Sequence, residues 1–425
     1  MLLISMRLFL GLALLLLVLA GGFFLLKGEK VFTIVPLDSR PGDYIQAKEV
    51  VLSSPEAELP LLDERVSGTT NKNGDIKNQE PLTSPPEVIK AIYATGWSAG
   101  SVKKIDYLIK MIETTELNAI VVDIKDYSGH VSYFINHPLL RASGALDEPR
   151  ILKPNALIKK LHDHGIYVIG RISVFQDPVL AKAHPEWAVH VSSTGQVWQD
   201  RKGLSWMDPA AREVWDYNLA IARDAFTRGF DEVNFDYVRF PSDGSLKEMT
   251  FPFFKKEMTM ASVIEDFFKY LRVNLPQDRL SVDLFGLATI EKGDLGIGQV
   301  LEKAFPYFDY IAPMVYPSHY ASGIMGFRNP ADHPFEVVKT SVAEAIKRLL
   351  EYNTNQLEGS STPRVALRPR AKVKIRPWLQ DFDLGAVYDA PKIRDQIRAS
   401  DESGGVGWML WDPKNDYTEG ALLPK

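Results

Sequence analysis

Two aspartates lie inside otherwise apolar, strand-like stretches of the sequence. Asp236 lies in the run 232–238 and Asp283 in the run 280–286. A carboxylate in an apolar strand costs free energy unless it is paired or opens onto a cleft, so both residues are candidates for a functional site. Glycosidic bond hydrolysis needs two such groups, because one attacks or stabilises the anomeric carbon and the other protonates the leaving oxygen. Burial and like charge would separate their pKa values and keep one protonated near neutrality.

Structural roles are also open to both aspartates. Asp236 could pair with Arg239 or Arg171, and Asp283 could cap a turn in the segment that follows it. Glu291, in the same segment, is an alternative acid. We predict that the pair is catalytic, since the two residues occupy successive strand-like runs and alternate side chains of a strand face the same way.

Other polar and aromatic residues at the ends of the strand-like runs are candidate sugar ligands. Charged side chains can hydrogen-bond to hydroxyl groups, and tryptophan rings can stack on pyranose faces, although a tryptophan at a barrel rim can equally be a packing residue. The long segment 172–208 is expected to form one wall of the cleft, since long loops on a rigid frame often bind ligands. The predicted substrate-binding residues are Asp123, Lys125, Arg171, Arg239, Tyr316, Trp378, Gln380, Asp381, Trp408 and Asp412.

The elements that must position these residues alternate between short apolar runs and helical patterns. One predicted helix buries a face that includes Val263, Phe267 and Leu271, and another begins at Asp208-Pro209. The pattern over residues 87–425 predicts an α/β fold, a (β/α)8 TIM barrel with loop insertions. An open doubly wound sheet is the alternative, but it would show a glycine-rich phosphate turn after the first strand. The eight strand-like runs are 88–94, 119–125, 167–173, 232–238, 280–286, 310–316, 372–378 and 405–411.

Composition excludes several classes of function. The 49 basic and 54 acidic residues give a net charge of −5, without the basic surplus of a nucleic-acid-binding protein. There is no cysteine, and therefore no disulfide, thiolate metal site, cysteine nucleophile or lipoprotein anchor. The eight histidines are scattered, and no H-E-x-x-H motif occurs, so we predict no catalytic metal. The two-carboxylate mechanism also requires no cofactor.

The N-terminal segment is expected to contact a membrane. Residues 8–26 carry no charge and lie between Arg7 and Lys27, and the run is long enough to cross a bilayer as a helix. A signal peptide cleaved before Gly21 is the main alternative, and a buried apolar helix is another. Either a membrane anchor or a signal peptide would place the rest of the chain outside the cytoplasm, anchored in the cell envelope or secreted.

The predicted organisation therefore has three parts. Residues 1–30 form a membrane anchor or signal segment. Residues 31–86 form a polar linker that contains one possible short strand. Residues 87–425 form the catalytic barrel.

Eight motifs in the body of the chain carry a family resemblance. They are GWSAGS (96–101), VVDIKDYSGHVSY (121–133), GRISVFQDP (170–178), FDYVRFPSDG (235–244), VDLFG (282–286), IAPMVYPSHY (311–320), RPWLQDF (376–382) and GWMLWDPKNDY (407–417). Together they resemble a family of bacterial, often envelope-associated glycoside hydrolases with TIM-barrel folds, distantly related to the α-amylase-like clan. The resemblance implies a barrel with a hydrolase site. By analogy with that clan, Asp236 on strand four would be the nucleophile and Asp283 on strand five the acid. The clan uses a glutamate as the acid and a His-Asp pair after strand seven, where this sequence has Asp283 and Gln380-Asp381.

The leading hypothesis is an envelope-anchored glycoside hydrolase acting on a polysaccharide. The alternative is a non-catalytic glycan-binding or cell-wall-binding barrel that has lost turnover, which is motivated by the aspartate at the acid position. A third hypothesis is hydrolysis of an amide on an amino sugar. None of the three involves nucleic acid.

Overall fold

Eight parallel strands close into a barrel in the computed structural model, which describes residues 79–358 and 372–425. The strands follow chain order around the barrel, and the last strand pairs with the first, with Gly407 beside Ile89. This confirms the predicted barrel. The strands are β1 (Ile89–Ala94), β2 (Ala119–Lys125), β3 (Tyr167–Ser173), β4 (Glu232–Asp236), β5 (Leu280–Phe285), β6 (Tyr310–Met314), β7 (in two pieces, Lys374–Ile375 and Trp378–Gln380) and β8 (Gly407–Trp411).

The barrel has an apolar interior and a separate apolar layer between its strands and the helices. In β2, Ala119 and Val121 belong to the inner cluster, whereas Ile120, Val122 and Ile124 pack in the outer layer. Because successive side chains of a strand alternate, β1, β2, β3, β6, β7 and β8 contribute to both layers, whereas β4 and β5 direct polar side chains such as Asn234 and Ser281 inward. This double burial explains why the strands appear in the sequence as nearly continuous apolar runs.

Helices follow the strands and cover the outside of the barrel. The predicted face of the helix after β4 is confirmed, since Val263, Phe267 and Leu271 are buried in the outer layer. The helix predicted at Asp208 begins later, at Arg212, because the Asp208 carboxylate accepts hydrogen bonds from Ala210 N and from two loop residues instead. The α-helices are α1 (Gly96–Gly100), α2 (Val102–Thr114), α3 (Pro138–Ser143), α4 (Pro154–Asp163), α5 (Pro178–Ala183), α6 (Arg212–Thr227), α7 (Met260–Asn274), α8 (Leu301–Ala304), α9 (Pro334–Glu358) and α10 (Ala390–Glu402).

The loops after β3 and β4 are joined to one another. Two short strands, His190–Val191 and Met249–Thr250, pair antiparallel and connect the two loops. Within the predicted wall segment, Trp198 and Trp206 are buried and belong to the same apolar cluster as the outer layer, so this insertion packs onto the barrel.

The predicted anchor 8–26 and most of the linker lie outside the described residues. Within 79–358 and 372–425, no helix is long and apolar enough to cross a membrane. The described end of the linker contacts the barrel near the start of β4, where Leu82 N donates to Asp231 Oδ1.

Candidate active site

Three carboxyl groups surround one arginine at the C-terminal end of the barrel. Arg171, on β3, donates through Nη1 to Asp123 Oδ1 of β2 at 2.7 Å and through Nη2 to Asp236 Oδ2 of β4. Its Nε lies 3.8 Å from Asp283 Oδ2 of β5. All four side chains are buried. The structure therefore brings together both predicted catalytic residues and two of the predicted binding residues.

The strand register places Asp236 and Asp283 side by side. In the ladder between β4 and β5, Asn234 pairs with Ser281 and Phe235 pairs with Val282, so the next positions are the two aspartates. The side chain of Asn234 hydrogen-bonds to both Ser281 and Asp283 inside the barrel, so these side chains point inward. Neighbouring strands are about 4.8 Å apart, so the two carboxyl groups start from adjacent positions on the same rim.

Asp283 lies in an enclosed environment. Its Oδ1 accepts hydrogen bonds from Asn234 Nδ2 and Trp378 Nε1, both at 2.8 Å. Its Oδ2 accepts none from the residues that the structure describes. Burial, followed by the negative charge of Asp236, raises the pKa of Asp283 well above its ordinary value. A carboxyl group held in this way favours its protonated form and can donate through Oδ2.

Asp236 is oriented by donors on both oxygens. Besides the Arg171 contact, Oδ1 accepts a hydrogen bond from the backbone N–H of Tyr237 at 2.5 Å. Tyr237 has a φ of 52°, a left-handed conformation that is uncommon for a residue other than glycine. Strained backbone of this kind concentrates at functional sites, and here it aims an N–H group at the carboxylate.

Tyr93, at the end of β1, adds a neutral hydroxyl group to the carboxyl cluster. Its hydroxyl donates to Asp123 Oδ2 at 2.5 Å, and its ring lies 5.6 Å from the guanidinium of Arg171. Burial raises the pKa of Asp123, and the charge of Arg171 opposes that shift. Tyr93 was not among the predicted site residues. It lies two and four residues after Ala91 and Ile89, so it shares their strand face, and this spacing could have placed it inside the barrel.

Four aromatic side chains, here called the aromatic rim, border the carboxyl cluster. The rim consists of Tyr316, His319, Phe382 and Trp411, with neighbouring ring centres 5.2–5.8 Å apart. Tyr316 was predicted to bind substrate, and its neighbours are half-buried, so part of each ring is open. Burial lowers the pKa of His319 to about 4, so this side chain is neutral at pH 7. The rim is thus an uncharged stacking surface beside charged groups.

The prediction that Lys125 binds substrate is not supported by its position. The ladder between β2 and β3 has an irregularity between Asp123 and Lys125, and the lysine departs from the inward alternation. Its ammonium group pairs with Asp177 at 2.7 Å and lies 5.0 Å from the ring of Tyr217 on α6. Both members of the pair are fully buried, so Lys125 belongs to the layer between strands and helices.

Arg239 and Trp408 are also packing residues. Arg239 is buried between the rings of Trp206 and Phe285, at 4.6 and 4.8 Å, where burial lowers its pKa to about 10. Trp408 is fully buried in the outer layer, because it alternates with Met409, which faces the barrel interior.

Three further residues that were predicted to bind substrate instead accept hydrogen bonds from neighbouring loops. Gln380 Oε1 accepts from Ser318 Oγ at 2.9 Å. Asp381 accepts from Thr418, and Asp412 accepts from the backbone of the turn that follows β8. Burial raises the pKa of Asp381 and of Asp412 to about 6 each. These three residues hold the loops beside the aromatic rim. Among the predicted ligands of β7, only Trp378 contacts the carboxyl cluster.

Potential metal ligands are not clustered within the described ranges, where no group of three or more His, Asp or Glu side chains is arranged to hold an ion.

The fold is a (β/α)8 barrel with two adjacent carboxyl groups at the C-terminal ends of its strands, an arrangement that glycoside hydrolysis can use. A model of the family described as "Putative glycosyl hydrolase domain" matches residues 91–417. The chain therefore belongs to this family of glycosidases, which confirms the resemblance seen in its motifs. A search of the curated proteins gives no match.

Several solved structures are similar to this chain. A hypothetical protein from Ruminiclostridium thermocellum is 39% identical, with a TM-score of 0.42, over 45% of this chain and 96% of that one. The glycoside hydrolase domain of PgaB (BpsB) from Bordetella bronchiseptica is 12% identical, with a TM-score of 0.53, over 76% of this chain and 94% of that one. The spore cortex-lytic enzyme SleL from Bacillus megaterium is 11% identical, with a TM-score of 0.43, over 80% and 74%. At 12% identity, the PgaB likeness supports the barrel fold alone.

Proposed function

We propose that this glycosidase cleaves a polysaccharide with Asp236 as nucleophile and Asp283 as general acid/base. One observation carries the proposal: two adjacent buried carboxyl groups on β4 and β5 have different hydrogen-bond partners. Asp236 is held by a guanidinium group and a backbone N–H. Asp283 is desolvated, has a raised pKa and retains an oxygen without a hydrogen bond from the described residues. Such a division between two carboxyl groups is the usual basis for assigning acid and nucleophile.

The reaction would proceed in two steps. Asp236 attacks the anomeric carbon while Asp283 passes its proton from Oδ2 to the departing glycosidic oxygen, giving a glycosyl ester and a free sugar hydroxyl. Asp283, now a carboxylate, then takes a proton from water as that water attacks the ester and releases Asp236. Carboxyl groups on adjacent strands, about 4.8 Å apart at the backbone, suit the separation of about 5–5.5 Å used by retaining enzymes.

The neighbouring residues support these roles. Arg171 offsets the charge of Asp236 and Asp123, and Asn234 and Trp378 hold Oδ1 of Asp283 so that Oδ2 stays available. The aromatic rim offers the apolar surface on which a pyranose ring stacks. A carbohydrate substrate fits both the charged and the aromatic parts of the site.

The test compares the full-length protein with its Asp236→Asn variant. Each is incubated with α-glucans, amino-sugar polymers and purified cell wall, and the products are identified by mass spectrometry. New oligosaccharides from the unmodified protein alone are expected, because loss of a nucleophile removes the covalent step. Turnover by the variant within about tenfold of the unmodified protein would contradict the assignment of Asp236. Binding of a polymer by both proteins without any product would instead favour the non-catalytic glycan-binding barrel.

A further inference from the structure

An exposed tryptophan lies near the carboxyl cluster, at the same end of the barrel. Trp97 belongs to α1, directly after β1, and 57% of its surface is exposed. Single exposed apolar residues are common and need no explanation by themselves. The Trp97 ring, however, is held in place by a buried charged residue.

A buried arginine supports one side of the ring. The guanidinium group of Arg150 lies 5.1 Å from the centre of the Trp97 ring. Only 4% of the Arg150 side chain is exposed; Nη1 pairs with Asp126, and Nη2 donates to Ser128 Oγ at 3.3 Å. The indole is therefore supported by a cation that is itself fixed by hydrogen bonds, which orients the exposed part of the ring.

Two glycines allow α1 to dock closely enough for this contact. A Cβ atom at Gly96 would lie 2.3 Å from Ser132 Oγ, and one at Gly100 would lie 1.9 Å from the backbone oxygen of Arg150. Neither space admits a side chain. The backbone of α1 thus packs directly on the segment that carries Arg150, which limits the movement of Trp97.

Trp97 is connected to the carboxyl cluster through Arg150 and Asp126, which lies just after β2. Asp126 follows β2 by one residue and Asp123 by three, so the Cα atoms of the two aspartates are at most about 11 Å apart. Asp123 in turn pairs with Arg171. Trp97 also follows Tyr93 by four residues, which places their Cα atoms at most about 14 Å apart.

We propose that Trp97, Asp126 and Ser128 form a distal subsite that binds a pyranose unit a short distance along the chain from the bond being cleaved. This inference rests on the proposed function and narrows it, since a subsite away from the cleavage point is useful only for substrates of several units. The exposed indole face stacks on the C–H face of the sugar. Ser128 donates to Asp126 Oδ1 and so helps to orient the carboxylate, whose remaining lone pairs accept hydrogen bonds from the sugar hydroxyl groups. The substrate is therefore a polymer or a long oligosaccharide.

The experiment uses full-length protein carrying Asp236→Asn, so that binding is measured without turnover. Native gels containing soluble starch, glycol chitin or carboxymethylcellulose give the affinity from the retardation of the protein. Adding Trp97→Ala is expected to weaken binding to the polymer that retards the parent by about tenfold, the size of a lost aromatic contact. Trp97→Phe keeps a ring and should lose much less. Leu350→Ala removes another exposed apolar residue, on α9, and should change nothing.

Activity measurements separate the subsite from the hydrolase. In the otherwise unmodified protein, Trp97→Ala should raise KM for the polymer far more than KM for a short aryl glycoside, which does not reach the subsite. Equal polymer affinity for Trp97→Ala and the parent would overturn the subsite, even if the protein proves to be a hydrolase. A loss of affinity that depends on Trp97 would support the subsite even if no product is ever found, in which case the proposed hydrolase function alone fails.

Discussion

At Asp283, two physical effects act in the same direction. Burial and the charge of Asp236 both favour the protonated carboxyl group, and its raised pKa makes it an acid at pH values where an ordinary aspartate is ionised. A general acid works only while it holds its proton, so kcat/KM on a polymer is expected to fall as the pH rises through this raised pKa.

The measurement is the pH profile of kcat/KM for two substrates. An aryl glycoside whose leaving group needs no proton should lack the alkaline fall, while the polymer should show it. Asp283→Asn should slow cleavage of the polymer far more than cleavage of the aryl glycoside. A polymer profile that keeps rising into the alkaline range would contradict the role of Asp283.

Lys125 illustrates a charged residue whose position argues for stability. Lys125→Met would leave the carboxylate of Asp177 buried without its partner, which typically costs about 3–5 kcal/mol. Urea unfolding should show this loss in the free energy of unfolding. Adding Asp177→Asn removes the stranded charge and keeps an acceptor for the N-terminus of α5, so the double variant should recover much of the stability. If Lys125→Met alone were as stable as the parent but bound the polymer weakly, Lys125 would have to be a substrate-binding residue after all.

These residues show where sequence reasoning succeeds and where it stops. The inward positions of Asp236 and Asp283 were predictable because alternation along β4 and β5 fixes the direction of their side chains, whereas their catalytic roles stay predictions. Lys125 was misplaced because an irregularity in the ladder breaks that alternation. The prediction that Trp408 binds substrate was wrong although its strand is regular. Trp408 and Trp411 are three residues apart, so alternation alone puts their rings on opposite faces of the strand.

At the scale of elements, closure of the barrel depends on the contact between β8 and β1. Gly407 has a φ of 80°, and a Cβ atom there would lie 1.9 Å from the backbone oxygen of Ile89. Gly407→Ala should therefore lower the free energy of unfolding by more than about 2 kcal/mol, since strain and steric overlap add. Thermal or urea unfolding gives the value.

Gly293 provides the matched control for Gly407. It lies in an exposed loop, and a Cβ atom there meets nothing within 4 Å. Gly293→Ala should leave the stability within about 0.5 kcal/mol of the parent. Equal effects of the two substitutions would show that the contact between β8 and β1 tolerates a side chain.

The strands were predictable because burial on both faces gives nearly continuous apolar runs, and α7 was predictable because one buried face imposes a helical period. The loops that complete the site were not. Gln380, Asp381 and Asp412 follow or end strands, where the chain turns and alternation no longer applies. The hydrogen bonds that Gln380 and Asp381 accept from distant loops depend on the folded arrangement of several segments, which no local pattern in the sequence encodes. Asp412 accepts only from the turn that follows it.

At the scale of the whole molecule, the remaining proposal is that the barrel works outside the cytoplasm on an anchor formed by residues 8–26. The uncharged run supports it, since its length suits a bilayer-spanning helix. In a bacterial host, the full-length protein should sediment with membranes and resist extraction by high salt. Protease added to intact spheroplasts should remove the barrel, because the barrel would lie on the outer side.

Leu14→Arg combined with Leu15→Arg places two charges in the middle of the run, which costs about 2.5–3.5 kcal/mol for each arginine, and should abolish membrane insertion. Recovery of the unmodified protein in the cytoplasm, protected from the protease, would contradict both the anchor and the export, whereas a soluble form lacking residues 1–20 outside the cell would identify the segment as a cleaved signal.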